Sequence, residues 1–256
     1  MWYFWKVKED DKEYMKYIEF IKWMKEQGSN LAFTRIALYE KDYRGLHATV
    51  NIPKQTEILS VPLSLAISAL NFEHTELGRT IMNKKLFDTR WEIFIYPLIY
   101  ILEELDNLYS KHKAWLNILP DNADNHPAFF SEAELDWFKG SPLLEQLMLD
   151  KQLIQHFYDK ISTIVPDFSK RHSLRKFMIY YYVLCSRFFG LSFYNPRLAF
   201  IVAYADMANT DAFEKRNAVW DCDKEKKYFR LVSLKPIKSG DPVHFSSILD
   251  CPLLRP

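Results

Sequence analysis

Glycine is scarce in this chain, with 6 in 256 residues, about a third of the usual ~7%. With only 12 prolines beside them, a collagen-like, linker-rich or low-complexity protein is excluded. The few glycines are expected where the backbone has special needs. Cysteine is scarcer still. Cys185, Cys222 and Cys251 are widely spaced and form no C-x-x-C pair, which argues against a disulfide framework or structural zinc and for a reducing intracellular compartment. Charge of one sign is lacking as well. Lys and Arg total 34 against 33 Asp and Glu, so no electrostatic excess draws the chain to nucleic-acid phosphate. Uncharged apolar runs such as Phe177–Ser186 and Ile93–Leu102 have ten residues, where a membrane span needs about 20. The apolar start Met1-Trp2-Tyr3-Phe4-Trp5 meets Lys6, Lys8, Glu9, Asp10 and Asp11 at once, which is not a secretory signal. Aromatics, by contrast, are plentiful: 19 Phe, 15 Tyr and 7 Trp supply bulk for a core and exclude disorder as the main state. The chain reads as soluble, intracellular and globular, with a preference for the cytoplasm that leaves the nucleus open.

Hydrophobic periodicity divides the chain. Tyr14, Tyr17, Ile18, Ile21 and Met24 fall at helical spacing over 12–27, with Gly28 as a stop. From Leu31 to Pro62 the pattern is β. Strands are expected around Phe33, Ile36 and Leu38, then around Ala48, Val50 and Ile52, then over Ile58-Leu59-Ser60-Val61, with Asp42-Tyr43-Arg44-Gly45 as a turn. Residues 68–190 are mostly helical, with Pro97 breaking one stripe and a capping-box match at Ser131 and Glu134. After 190 the β signal returns at Leu198–Ala203, Tyr228–Val232 and Pro242–Phe245. β flanking a helical block on both sides is most simply one β domain with a helical insertion, since N- and C-terminal strands can pair; two independent domains is the alternative.

Common catalytic signatures are missing. There is no G-x-x-x-x-G-K-[ST], G-x-G-x-x-G, H-E-x-x-H or G-x-S-x-G. The seven histidines show no ligand spacing. Asp221-Cys222-Asp223, ahead of Lys224-Glu225-Lys226-Lys227, reads as a charged hairpin tip, and Glu103-Glu104 as a solvated helix face. Trp115, Phe129, Phe130 and Trp137 read as packing aromatics.

Several segments stand out in order along the chain. They are Tyr43-Arg44-Gly45-Leu46-His47-Ala48, Glu57-Ile58-Leu59-Ser60-Val61-Pro62, Ser110 through Trp115 to Leu119-Pro120, and Pro127-Ala128-Phe129-Phe130 with Glu134-Leu135. Gly140-Ser141-Pro142-Leu143, Ser186-Arg187-Phe188, Ala205-Asp206-Met207-Ala208-Asn209-Thr210 and Gly240-Asp241-Pro242-Val243 follow. Together they resemble the SET-domain methyltransferases, in particular the sub-group of plant Rubisco large-subunit methyltransferase and related enzymes that methylate lysine or histidine of non-histone proteins. The resemblance covers roughly residues 20–248. No one motif is specific; the order and spacing carry it.

The resemblance implies an α+β chain: a SET-type β fold of small curved sheets interrupted by a long, mainly helical insertion. It would be one SET-like domain over 1–256. The N-terminal helix and first β half would take 1–67, the insertion 68–190, and the second β half 191–256. The implied cofactor is S-adenosyl-L-methionine and the implied partner a protein substrate, with no nucleic acid, membrane or metal. Asp42, Arg44, Gly45, Ser186, Arg187, Asp206, Asn209 and Thr210 would form the cofactor site. Gly45 would let the backbone approach the methionine part, and Arg187 would hold the carboxylate by a charge-assisted contact. Asp206 and Asn209 would hold the adenosine. From the residues alone, Gly45 is equally a hairpin glycine, Arg187 a structural ion-pair partner and Asn209 a turn residue.

The chain departs from the pattern at two positions. Thr210 stands where the family has a histidine, and Ser247 where it has its active-site tyrosine. Methyl transfer is in-line displacement by a neutral amine, so alignment and electrostatic support matter most. A serine hydroxyl cannot reach as a phenol does, and loss of such a group commonly costs on the order of 10²–10³ in rate. The family's C-terminal "S-N-x-E-L-L-x-x-Y-G-F" has no counterpart before Pro256, which implies either a degenerate relative or a truncated product. Three readings follow: a protein N-methyltransferase of impaired activity, a catalytically dead SET-fold protein that binds a partner, and an unrelated α+β scaffold.

Overall fold

The computed structural model describes residues 12–40, 43–87, 89–190, 199–223, 225 and 227–246. In chain order, α1 (Lys12–Glu26) leads into β1 (Thr34–Glu40), β2 (Tyr43–Ala48), β3 (Glu57–Pro62) and β4 (Ala66–Ile67). Helices follow: α2 (Ala69–Glu73), α3 (Glu76–Asn83), α4 (Thr89–Asp106), α5 (Lys113–Leu116), α6 (Glu132–Leu135), α7 (Pro142–Ile164), α8 (Phe168–Arg171) and α9 (Leu174–Cys185). Strands then return as β5 (Phe188–Gly190), β6 (Ala199–Val202), β7 (Asn209–Thr210), β8 (Ala218–Asp223), β9 (Tyr228–Ser233) and β10 (His244–Phe245). Two compact units emerge. The first holds 1–68, 107–119 and 187–256; the second holds 69–106 and 120–186.

The first unit is built from small sheets. β1 and β2 form an antiparallel pair, and β3, β9 and β8 form a three-stranded antiparallel sheet in that order. A second three-stranded sheet runs β4-β6-β5, and β10 pairs with β7 in parallel. Strands from both ends of the sequence therefore pair directly, through β3 with β9 and through the bridges His47–Pro242 and Ile52–Ile237. The pleat explains why. In β9 buried Phe229, Leu231 and Ser233 alternate with half-buried Tyr228, Arg230 and Val232, so one face seeks a core. That core includes Phe20 and Met24 of α1, Leu46, Ile58, Val61, Trp115 and a ring cluster of Phe189, Trp220, Phe229 and Phe245.

The second unit is helical. Phe72, Tyr96, Phe87 and Phe157 make a run of ring contacts, and Tyr158, Phe168 and Phe177 make another. Ser131 and Glu134 form the expected capping box at α6. Pro97 lies within α4, which continues past it to Asp106. Among the described residues, no helix is long and apolar enough to cross a membrane.

The structure corrects several local expectations. The turn expected at 42–45 is displaced, because β2 already begins at Tyr43 and Gly45 pairs with Ala37 inside it. The strand expected over 48–52 therefore lies earlier, at 43–48. The helix expected to reach Phe189 stops at Cys185, and Phe188–Gly190 is strand β5. Asp221 and Asp223 are not at a hairpin tip but within β8, where both face Arg230 of β9. Glu103 is not on a solvated face: its carboxylate takes Arg171 and buried His172. Trp115 is fully buried, whereas Trp137 is 90% exposed and packs little.

Candidate functional site

The sequence candidates Arg44, Gly45, Arg187, Asp206 and Asn209 all belong to the first unit, where β2, β7 and the turn Ala205–Met207 carry most of them. That turn starts from Tyr204, whose φ of 70° and ψ of −48° place a bulky residue in the left-handed region. Such a conformation costs on the order of 1–3 kcal/mol and persists only where packing enforces it. Here the ring is buried and its hydroxyl bonds Thr34 Oγ1 at 3.1 Å. The strained residue launches the turn that buries Asp206.

Asp206 and Arg187 form a buried pair. Arg187 Nη1 donates to the Asp206 carboxylate at 3.0 Å and to its backbone carbonyl at 2.8 Å. The Asp206 side chain is fully buried and that of Arg187 is 16% exposed. Burial pulls the Arg187 guanidinium below its usual range; Asp206 opposes this, and Arg44 adds to it as a second positive charge. Arg44 is itself only 7% exposed. Its Nη1 donates to the Ile118 carbonyl at 2.7 Å and to Tyr17 Oη of α1 at 2.9 Å.

This cluster is electrostatically unfinished. Arg44 adds a second guanidinium beside the Arg187–Asp206 pair, leaving one positive charge in excess among the described residues. Arg44 Nε and Nη2, Arg187 Nε and Asp206 Oδ1 are all buried and lack a hydrogen-bond partner among the described residues. A buried unsatisfied polar group costs about 1–3 kcal/mol, more when charged. Three unmet cationic N–H groups fit an anion, and the unmet carboxylate oxygen fits a donor beside it. A ligand that carries both a carboxylate and an N–H group suits the set.

Asn209 ties this cluster to the opposite side of β2. Its Nδ2 donates to the Arg44 carbonyl at 3.1 Å and lies 2.8 Å from where a Cβ on Gly45 would sit. Tyr39 Oη lies 2.6 Å from the same point, so Gly45 is required by close approach rather than by a turn. Tyr39 Oη also bonds His47 Nε2 at 2.6 Å, and His47 Nδ1 bonds the Gly240 carbonyl at 2.6 Å. Burial, reinforced by Arg35 and His244, lowers the basicity of His47 against the opposing Gly240 carbonyl and Asp241. Burial, with Tyr43, raises the Tyr39 phenol against the pull of Arg35.

Two candidates stand apart, and two lie outside the described residues. The Ser186 hydroxyl donates to the Val183 carbonyl at 3.0 Å, capping its own helix α9. Thr210 is exposed and pairs with Phe245 through β7 and β10. Asp42 and Ser247 are not among the described residues. Tyr17, Tyr39, Tyr204 and His47 were not among the sequence candidates. Tyr17 sits at helical spacing with apolar neighbours and reads as core. Only the non-local pairing of β1 with β2 reveals Tyr39 and His47 as partners.

No protein-family model matches the sequence, and a search of curated proteins finds no match. Solved structures do match. The SET domain of LSMT, solved with lysine and AdoHcy, superposes with a TM-score of 0.79 over 94% of this chain and 55% of that one, at 21% identity. The chain has the SET fold. Rubisco LSMT solved with AdoMet matches at a TM-score of 0.74 and 24% identity, over 92% of this chain and 53% of that one. Rubisco LSMT solved with sinefungin and monomethyllysine gives 0.74 and 23% over the same shares. The chain thus spans about half the length of these structures. With that superposition the unrelated-scaffold reading falls.

Proposed function

We propose that this SET-fold chain is an S-adenosylmethionine-dependent protein N-methyltransferase whose target is a lysine or histidine side chain of a non-histone protein. The observation that carries the reading is the buried Arg44–Arg187–Asp206 cluster with its unmet N–H groups and unmet carboxylate oxygen. An α-amino-acid end supplies the complementary groups, a carboxylate for the arginines and an ammonium for Asp206. The related structures solved with AdoMet, AdoHcy and sinefungin support the same ligand class. When bound, the cofactor supplies a methyl group activated on a sulfonium.

The chain's own residues bind and orient. Arg187, held by Asp206, takes the carboxylate, and Arg44 adds a second guanidinium anchored by Ile118 and Tyr17. Asn209 fixes β2 against β7 through the Arg44 carbonyl, and Gly45 leaves room for the Tyr39 hydroxyl and the Asn209 amide beside it. Asp42 and Thr210 complete the cofactor assignment. Ser186 is kept in it only as the cap that ends α9 ahead of Arg187. Ser247 takes the place of the family tyrosine at the target amine, which lowers the rate. We assign residues 1–67 and 191–256 to the two halves of one SET-like domain and 68–190 to its insertion.

The alternative, a catalytically dead SET-fold protein that binds a protein partner, is motivated by Ser247. Incubation of the chain with cell extract and methyl-labelled S-adenosylmethionine separates the two. Labelled protein that disappears with Arg187→Ala supports the enzyme. Cofactor binding without label transfer, restored by Ser247→Tyr, favours the dead form.

A further inference from the structure

Arg44 is oriented by what holds its Nη1. That nitrogen has two N–H groups, and both are engaged, one by the Ile118 carbonyl at 2.7 Å and one by Tyr17 Oη at 2.9 Å. The atoms left unmet are Nε and Nη2. These are neighbours on one edge of the guanidinium, the edge that meets both oxygens of a carboxylate side by side. The direction of that edge therefore depends on the two acceptors at Nη1. Ile118 supplies a backbone carbonyl, whereas Tyr17 supplies a side chain from α1, whose ring centroid also lies 5.7 Å from Arg44 Cζ.

Tyr17 sits in the weakly packed half of α1. None of residues 14–19 is buried, whereas Phe20 and Met24 are fully buried further along the helix. Phe20 stacks on Tyr204 at a centroid distance of 6.2 Å, and Tyr204 launches the turn that carries Asp206. The helix thus meets Arg44 through a hydroxyl and the Asp206 turn through a ring. A helix end with few buried apolar groups opens at low cost, so the order of 14–19 depends on the contact with Arg44.

We infer that Tyr17 is the positioning residue of the Arg44 edge and that α1 is a strap coupled to the site: a carboxylate on Arg44 and the docked first half of α1 stabilise each other. This rests on the S-adenosylmethionine reading above and adds the segment that responds when the amino-acid end is occupied. The physical cause is charge. Arg44 and Arg187 are two cations close together in a buried setting, and each disfavours the other's charge. An anion on Nε and Nη2 offsets that repulsion, so Arg44 stays where Tyr17 meets it. Coupling of this kind is reciprocal: the factor by which the ligand steadies α1 is the factor by which Tyr17 tightens the ligand.

The test joins amide hydrogen exchange to calorimetry on the full chain, with S-adenosylhomocysteine and with 5′-methylthioadenosine, which has no amino-acid end. In the wild-type chain S-adenosylhomocysteine is expected to slow exchange over residues 14–19 by about fivefold, the lower range of coupling between two sites. 5′-Methylthioadenosine is expected to leave that exchange unchanged. Tyr17→Phe keeps the ring and loses the hydroxyl, and a thermal melt verifies its fold. It is expected to weaken S-adenosylhomocysteine by about fivefold, to hold 5′-methylthioadenosine within about twofold and to abolish the ligand-dependent protection of α1. A purely structural role would weaken both compounds alike, so equal weakening overturns the assignment, as does no change in either. Exchange over 14–19 that ignores S-adenosylhomocysteine, or slows equally with both compounds, overturns the strap. A wild-type chain that binds the two compounds equally, or neither, overturns the cofactor reading and the inference with it. Wild-type preference for S-adenosylhomocysteine that survives Tyr17→Phe overturns the inference alone.

Discussion

Each unit of this protein carries a charge cluster, and the two are built to opposite ends. In the helical unit Glu103 accepts from Arg171 and from buried His172 Nε2 at 3.0 Å, and Lys176 reaches Asp106 at 3.4 Å. The acids there lie on α4 and the bases at the end of α8 and on α9, and His172 Nδ1 lies 3.9 Å from the Asp106 carboxylate. In the sheet unit Arg44, Arg187 and Asp206 leave three N–H groups and one carboxylate oxygen unmet. The first network leaves one buried atom unmet, His172 Nδ1, and holds helices; the second leaves four. The larger unmet capacity of the buried cluster, not charge as such, is what points to a ligand there.

The largest expected effect comes from breaking the open cluster. Arg187→Met leaves Asp206 buried without its ion-pair partner, which should destabilise the chain by about 3–5 kcal/mol. Urea denaturation followed by tryptophan fluorescence measures it. A loss below about 1 kcal/mol would mean that Asp206 is not held by Arg187.

Acid should sharpen the contrast next, through His112 in the sheet unit and Glu103 in the helical one. His112 is fully buried between the Trp23 and Trp115 rings, and burial, with Lys111, lowers its pKa from 6.5 to about 3. Between those values the unfolded chain binds a proton that the folded chain refuses, so stability falls as pH falls. The loss should reach about 2 kcal/mol at pH 5. Glu103 behaves differently. The His172 and Arg171 contacts outweigh burial and hold its pKa below 4.5, so its stabilisation persists until pH falls through that lower value. Denaturant midpoints between pH 7 and pH 3 should therefore show the His112 phase first. His112→Phe should flatten the upper part of the profile, and a profile unchanged by it would contradict the assignment.

A smaller effect is expected from the helical network. Glu103→Gln weakens two charge-assisted bonds and should cost about 1–2 kcal/mol. Cofactor affinity, measured by calorimetry, should stay within about twofold of wild type. A larger drop would mean that the helical network also serves the ligand.

What was legible in the sequence followed local rules. The 3.6-residue stripe gave α1, Gly28 its stop at φ 87°, Ser131 and Glu134 the capping box, and alternation gave β9. The motif order gave the SET fold and placed Arg44, Arg187, Asp206 and Asn209 in one unit. What failed was set by pairing across the chain. Gly45 reads as a turn glycine until β1 pairs with β2 and brings Tyr39 against it. Glu103 reads as solvated until α8 supplies Arg171 and the following residue His172. Ser186 resembles a cofactor contact in sequence, and no local rule shows that its hydroxyl donates to the Val183 carbonyl three residues earlier. No periodicity in the chain encodes those partners.

The most direct test of the open cluster is calorimetric titration with S-adenosylhomocysteine and with 5′-methylthioadenosine, which lacks the amino-acid end. The wild-type chain should bind the first at least about tenfold more tightly, the scale of a charge-assisted pair. Arg44→Met should remove most of that advantage while leaving the affinity for 5′-methylthioadenosine unchanged. Equal affinities for the two compounds in the wild-type chain would contradict the account, because the buried guanidiniums would then hold no carboxylate.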